Sequence, residues 1–324
     1  DDVESRGLGD VYKRQVLGRD SSNTYDMYLI EMGNPDKPTI MFTASLHGSE
    51  WQGTSYSLSF FEKLRDDNFP NKEFRNYLLE NFHIVYFPVV NVWGYVNTTE
   101  YAITKGRLNS TGNNINRDFG EFKDIETRYV RDAIYKYRPF AFLDMHLIRT
   151  NVNRNELLII GNTLFETEYL RDNIADKWEE YSGHDVLLWG GGDVTNEGVT
   201  RDWVAKQEND YTPRTLAIIT EITRPVEEKN GFKNPLSDEQ INDYGQFSMY
   251  EFLKTSVEYY LKYNGHIVSE IDGPTGKATI IRDMNGVTQS IKEEKERKTI
   301  ETTFKRDGEG IVQRIIRKLK RYNK

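Results

Sequence analysis

The chain has 324 residues, with 43 Lys+Arg, 51 Asp+Glu, five His and no Cys. Without cysteine there are no disulfides, thiolate nucleophiles or thiolate metal sites, so any metal must rest on His, Asp or Glu. The length suffices to bury a sizeable core, and 20 Tyr and 16 Phe separate the chain from disordered sequences.

Residues 1–16 lack usable periodicity, and Gly7–Gln15 reads as a non-native lead. We therefore set 1–19 apart as a non-native or disordered arm. Thr39–Leu46 is expected as a buried strand, followed by a helix near Gly53–Arg65 with Leu58, Phe61 and Leu64 on one side. Lys72–Phe82 reads as helix, Ile84–Val90 as strand, and Asp124–Tyr137 as a helix presenting Ile125, Tyr129, Ala133, Ile134 and Tyr137. Ala141–Met145, Leu157–Ile160 and Leu216–Ile222 are further apolar strands, and Ser237-x-x-Gln240 is a capping box opening a helix to about Lys262.

This alternation predicts an α/β domain over 20–264, three layers of helix, sheet and helix around a mixed, mostly parallel sheet. After Asn264-Gly265 the character changes. Thr279–Arg282 and Val287–Ile291 flank Asn285-Gly286, and Thr299–Phe304 and Gly310–Ile316 flank Asp307-Gly308. Both pairs signal hairpins, so 266–324 is expected to be a small all-β appendage.

Residues 266–324 carry 14 Lys+Arg against 9 Asp+Glu, and the rest of the chain 29 against 42. An acidic body argues against a nucleic-acid partner. No apolar run approaches the roughly 18 residues that cross a bilayer, and no signal peptide opens the sequence, so a soluble protein without a membrane partner is expected. Cytoplasm and virion both stay open as its location.

Ser45-Leu46-His47-Gly48-Ser49-Glu50 follows the first buried strand directly. A His and a Glu three apart, in a turn leaving a strand, can reach one cation together. His146 closes another buried strand, and ligand sites of open α/β sheets form where such strand ends meet. Two His and one Glu form a catalytic zinc set with a free fourth position. Asp144 could orient an imidazole from behind. The plain alternative is a hydrogen-bonded core histidine.

Glu221 interrupts the apolar run Leu216–Ile222, and a buried carboxylate needs either a partner or a chemical role. It suits a general base, the alternative being a salt bridge to Arg224. Arg107 and Arg117 lie in a Gly/Asn-rich loop, where guanidinium forks can grip a carboxylate or an oxyanion. An ordinary surface loop is the other reading. Trp189-Gly190-Gly191-Gly192-Asp193 lacks the strand–helix setting of a phosphate loop and reads as a pocket rim.

Together these segments resemble the zinc carboxypeptidase family over about 30–262. The pieces occur in the family's order: H-G-S-E at 47–50, F-P-V-V-N-V-W-G-Y at 87–95, R-x-N at 107–109 and G-N-N-I-N-R-D-F at 112–119. L-D-M-H at 143–146, G-V-T-R-D-W at 198–203 and T-E-I-T at 220–223 follow. The resemblance implies one Zn2+ on His47, Glu50 and His146, with Glu221 as general base and Arg107 as oxyanion stabiliser. Asn116 and Arg117 would clamp a substrate's terminal carboxylate. Arg201 would line the pocket for the last side chain and favour an acidic one.

The sequence departs from the family at Asn114, where an acid is usual, and at Val194 and Thr195, where a substrate-capping tyrosine is usual. Tyr211 is the candidate substitute. The activity implied is zinc-dependent carboxypeptidase hydrolysis beside a free C-terminal carboxylate, on acidic or cell-wall-type peptide termini. Two alternatives stand beside it: an N-acyl amino-acid deacylase of the succinylglutamate desuccinylase or aspartoacylase type, and a non-catalytic binding or phage-tail module. The substrate would be a peptide or acylated amino acid, and the partner of the basic tail is open.

Overall fold

The computed structural model describes residues 12–148, 158–162, 167–190, 198–212, 214–226, 236–264, 267–273, 276–282, 288–295, 298–306 and 312–321. The chain divides into two compact units, Asp1–Thr255 and Ser256–Lys324. The first is built on an eight-stranded sheet. Its strands are β1 (Tyr12–Arg19), β2 (Asp26–Gly33), β3 (Thr39–Ala44), β4 (His83–Phe87), β5 (Ala141–Ile148), β6 (Leu158–Asn162), β7 (Val186–Gly190) and β8 (Leu216–Thr223), in the order β1-β2-β4-β3-β5-β8-β6-β7.

The pairs β4/β3, β3/β5, β5/β8 and β6/β7 are parallel, whereas β1/β2, β2/β4 and β6/β8 are antiparallel. The mostly parallel interior follows from composition. Every residue of β3 and β4 is buried, as expected of strands covered on both faces.

Side-chain alternation divides the core between those faces. Met41, Val85, Phe142 and Ala217 share one apolar cluster with Val130, Ala133 and Ile134 of α4 (Ile125–Tyr137). Phe42 and Tyr86, one residue along, meet the opposite layer. Phe42 packs edge-on against Phe61 of α1 (Trp51–Arg65), with ring centroids 5.2 Å apart, and against Phe252 of α7 (Asp238–Tyr263) at 5.4 Å. Phe61 also lies 4.4 Å from the Tyr86 ring. The sheet is thus sandwiched between helices.

The helix boundaries follow local chemistry. Asn71 caps α2 (Lys72–Asn81) by accepting from Phe74 N at 3.0 Å. Ser237 and Gln240 form the expected reciprocal box at the start of α7: Gln240 N donates to Ser237 Oγ at 3.2 Å, and Ser237 N donates to Gln240 Oε1 at 2.9 Å. The sequence reading did not resolve α3 (Val92–Asn97), α5 (Glu168–Ser182) or α6 (Thr200–Val204).

Three local expectations need correction. Residues 12–19, assigned to a disordered arm, form edge strand β1 paired with β2. Its sequence YKRQVLGR is mostly polar because no residue in it is fully buried. Leu58 faces outward, and Phe60, Phe61 and Leu64 make the buried side of α1. The buried line of α4 runs through Glu126, Thr127, Val130, Ala133 and Ile134, leaving Ile125, Tyr129 and Tyr137 half-covered. Polar contacts cause that rotation: Glu126 Oε1 accepts from Ser21 N at 3.0 Å, and Thr127 Oγ1 donates to Asp118 Oδ2 at 2.5 Å.

In the second unit β9 (Ile267–Gly273), β10 (Gly276–Arg282), β11 (Thr288–Lys295), β12 (Lys298–Arg306) and β13 (Val312–Arg321) form an antiparallel meander, in the order β13-β12-β11-β10-β9. The strands on either side of the two expected hairpin turns pair with each other. The turns themselves, at 283–286 and 307–308, lie outside the described residues. The division between units falls inside α7 rather than at Gly265.

Candidate metal centre

The centre forms where β3, β5 and β8 end side by side. Beyond Ala44 the chain turns sharply at Ser45, whose φ of 49° is left-handed. Gly48 then lies against another backbone, and a Cβ there would stand 2.1 Å from Tyr95 N. No larger residue fits. The turn closes with Glu50 N donating to His47 O at 3.0 Å. Glu50 holds the N-cap position of α1 but makes no side-chain cap bond. Its carboxylate instead lies between two imidazoles.

Glu50 Oε1 is 2.8 Å from His47 Nδ1, and Oε2 is 3.0 Å from His146 Nδ1. Leu147 N donates to the same Oε2 at 3.1 Å. One ligand atom from each of His47, Glu50 and His146 lies within 4.8 Å of the others, and all three residues are buried.

Groups behind the rings fix their orientation. Asn114 Oδ1 already accepts from Asn116 N at 3.1 Å, so the amide oxygen is the atom that faces His47 Nε2, also at 3.1 Å. With Nε2 facing that acceptor, Nδ1 is the ring nitrogen turned to Glu50 and available to an ion held between them. The departure from an acid at position 114 therefore preserves an acceptor behind His47. Asp144 Oδ2 lies 3.0 Å from His146 Nε2, while Thr43 Oγ1 donates to Asp144 Oδ1 at 2.8 Å. The donor set fits one divalent ion: two imidazole nitrogens and a carboxylate converge, each ring backed by an oxygen.

Charges are strongly coupled here. Burial works against ionising Glu50, but His47 and His146 outweigh it and hold its carboxyl well below the usual range. Burial likewise opposes a charged His146, yet Asp144 and Glu50 push its pKa well above the ordinary value. His47 moves the other way, since burial outweighs the attraction of Glu50.

Glu221 sits on β8 directly beside His146 in the parallel register. Burial raises its pKa, and repulsion from Glu50 and Asp144 adds to that against the attraction of His146 and Arg107. A carboxylate raised in this way suits proton transfer nearer neutrality.

The loop from Arg107 to Arg117 completes the walls. Asn91 caps α3 by accepting from Gly94 N at 2.9 Å, and its Nδ2 donates to Arg107 O at 3.2 Å. Asp124 anchors the middle of the loop, accepting from Asn109 Nδ2 at 2.8 Å and Thr111 Oγ1 at 3.0 Å. Arg107 Nη1 reaches Glu50 Oε1 at 3.3 Å. Asn116 Oδ1 accepts from Thr200 N and Thr200 Oγ1 at 2.9 and 3.0 Å. Arg117 Nη1 donates to Asn116 O at 2.5 Å.

All eight residues singled out from the sequence (His47, Glu50, His146, Glu221, Arg107, Asn116, Arg117 and Arg201) line one cavity of about 410 Å3. Trp189, from the expected rim, lines it too, whereas residues 191–193 and Val194 and Thr195 lie outside the described residues. Tyr211 is not among the cavity's lining residues, so nothing places it as a substitute for the capping tyrosine. The alternative pairing of Glu221 with Arg224 is not formed. Arg224 Nη1 and Nη2 both donate to Ala102 O at 3.0 Å. Arg224 is instead a lining residue the sequence reading missed. An Arg ending an apolar strand, three residues beyond Glu221, was its signal.

Residues 13–129 match the model of the family described as zinc carboxypeptidase. The likeness to that family in sequence is confined to this segment. The match contains H-G-S-E at 47–50 and both loop arginines. The fold carries the likeness further along the chain. A metallo-carboxypeptidase from Burkholderia cenocepacia superposes with a TM-score of 0.59 at 15% identity, covering 77% of this chain and 65% of that one. Carboxypeptidase A from Helicoverpa armigera gives 0.57 at 17% identity, covering 78% and 69%. A metallo-carboxypeptidase from Pseudomonas aeruginosa, in complex with (2-guanidinoethylmercapto)succinic acid, gives 0.56 at 16% identity, covering 78% and 66%. The chain thus spans about two thirds of the length of these structures, and at such identities the likeness is one of fold. No curated protein matches it in sequence. Among the described residues no helix is long and apolar enough to cross a membrane.

Proposed function

We propose that the protein is a zinc-dependent carboxypeptidase, hydrolysing the amide bond next to a free C-terminal carboxylate. The observation that carries this reading is the position of Glu221 beside His146 in register, in a cavity shared by the metal-binding triad and the loop arginines. A hydrolase of this kind needs a metal, a base beside it and cations for the substrate's carboxylate, all within one pocket.

In this reading His47, Glu50 and His146 hold the ion, which supplies a Lewis acid for the scissile carbonyl. Glu221 takes a proton from the attacking water and delivers it to the leaving amine as the C–N bond breaks. Arg107 stabilises the negative charge that develops on the carbonyl oxygen. Arg117, steadied by Asn116, grips the terminal carboxylate. Arg201 contacts the last residue, and acidic or cell-wall-type peptide termini are the preferred substrates. The ligand of the Pseudomonas structure is named as a succinic acid derivative, and a cavity lined by four arginines suits a compound with two carboxyl groups.

The test sets peptides with free C termini against N-acyl amino acids. Release of single C-terminal residues by the zinc-loaded protein supports the proposal. Cleavage of N-acyl amino acids alone assigns a deacylase instead, and absence of both zinc and hydrolysis leaves a binding module.

A further inference from the structure

Arg107, Arg117 and Arg201 each have a proposed task on the substrate, whereas Arg224 is committed to the protein's own backbone. It follows β8 directly, three residues beyond Glu221, and its backbone N donates to Ile148 O at 2.9 Å. The side chain lines the cavity yet is buried. Burial lowers its pKa against the opposing field of Glu50, so a guanidinium is unfavourable here unless it has work to do. Its Nη1 and Nη2 both donate to Ala102 O at 3.0 Å. Nε has no hydrogen-bond partner among the described residues, so these two bonds are its whole hold. A planar fork fixes one carbonyl more rigidly than a rotating ammonium does.

The segment so held leads to Arg107. Upstream, Trp51 Nε1 donates to Glu100 O at 2.7 Å and ties the chain to α1. Downstream, Arg107 N donates to Thr104 O at 3.0 Å, and Asn91 Nδ2 donates to Arg107 O. Gly94 and Gly106 touch backbone to backbone, since a Cβ at 106 would stand 2.4 Å from Gly94 O. Between these anchors Ile103 and Thr104 line the cavity beside Arg107. The bonds to Ala102 O join that wall to the strand that carries Glu221. Charge adds direction. Arg107 and Arg224 repel each other, and Arg224 is held by both its Nη atoms. Arg107 is left toward Glu50, where its Nη1 reaches Oε1 at 3.3 Å.

We infer that Arg224 is a positioning residue: by holding Ala102 O it fixes segment 102–107 and keeps the Arg107 guanidinium on the reacting carbonyl. This deepens the carboxypeptidase reading and rests on it for the reaction that Arg107 serves. The effect falls on the chemical step, because Arg117 grips the terminal carboxylate from another part of the loop.

The test compares Arg224→Gln, Arg107→Ala and the double variant, all zinc-loaded, on the peptide that the native protein cleaves fastest. Displacing a catalytic group by about 1 Å costs on the order of 100-fold, so Arg224→Gln should lower kcat by about 10–100-fold. KM and zinc content should stay at their native values. In the Arg107→Ala background the second substitution should cost nothing further, since the group it positions is gone. Arg224→Lys, which keeps the charge but not the fork, should fall between native and glutamine, and it carries the same comparisons if glutamine leaves no folded protein. Hydrogen exchange reads the hold without any turnover: amides of 103–107 should exchange about tenfold faster in Arg224→Gln, while those of β3 keep the native rate. Additive losses, a change in KM alone, or unaltered exchange at 103–107 each overturn the inference. A native protein that cleaves no peptide, with exchange at 103–107 still quickened by Arg224→Gln, overturns the carboxypeptidase reading and supports the hold on the segment.

Discussion

Asn114 Oδ1 lies 3.1 Å from His47 Nε2 while also accepting the backbone N–H of Asn116. One amide oxygen therefore backs an imidazole of the candidate metal site and holds the path of the loop toward Arg117. Removing it in Asn114→Ala frees the ring to rotate. Loss of such outer contacts weakens metal binding by about 10–100-fold. Zinc affinity measured by competition with a chelator should fall by that order, and Asn114→Asp should restore it. Unchanged affinity in Asn114→Ala would show that the ring is held some other way.

Glu221→Gln keeps the shape of the wall and removes the base. We expect turnover to fall by about 10^2–10^4-fold with zinc stoichiometry unchanged. The native acid limb should also lie above the ordinary glutamate range, because burial raises the Glu221 pKa and the base works only once deprotonated. A profile of kcat/KM against pH checks this. An acid limb at or below the ordinary glutamate value would contradict the assigned environment.

At the opposite end of the sheet His83 Nε2 lies 3.2 Å from Glu31 Oε2. The neighbouring His83 ring lowers the Glu31 pKa against the opposing effect of burial, and the charge of Lys13 helps. A carboxyl with a depressed folded-state pKa contributes stability above its unfolded value, and loses it as pH falls through the folded one. Denaturant titrations should show this stability declining below the ordinary glutamate range, and Glu31→Gln should flatten that part of the curve. An unaltered slope would remove Glu31 from the account.

Gly48→Ala tests how tightly the ligand turn is packed. The obstacle is the Tyr95 backbone rather than a movable side chain. Overpacking of this kind costs about 1–3 kcal/mol, and we expect the upper end. Chemical denaturation measures it, and a neutral substitution would mean that the turn has room the structure does not show.

The sequence was most informative where apolar runs broke. His47, His146 and Glu221 are polar residues at or near the ends of strands that are otherwise buried, so pattern and chemistry coincided there. Position 201 was placed at the pocket only through the resemblance, and the short helix that carries it was not read. The burial of Arg201, its lock on Asp202 and the room that Gly161 leaves beside it all come from tertiary packing. Arg224 entered the sequence reading only as an alternative partner for Glu221, and its guanidinium reaches Ala102 on another segment. Strand β1 was lost because an exposed edge strand has no apolar face to declare it. The short helices α3 and α6 span 6 and 5 residues, too few for a periodic signal.

The most direct test of the account is metal content. Elemental analysis of the protein equilibrated with zinc and freed of excess should find one ion per chain, and Glu50→Ala should lose it while circular dichroism still reports a folded α/β protein. A native chain that retains no zinc, or a folded Glu50→Ala variant that keeps a full equivalent, would contradict the claim that His47, Glu50 and His146 hold the ion.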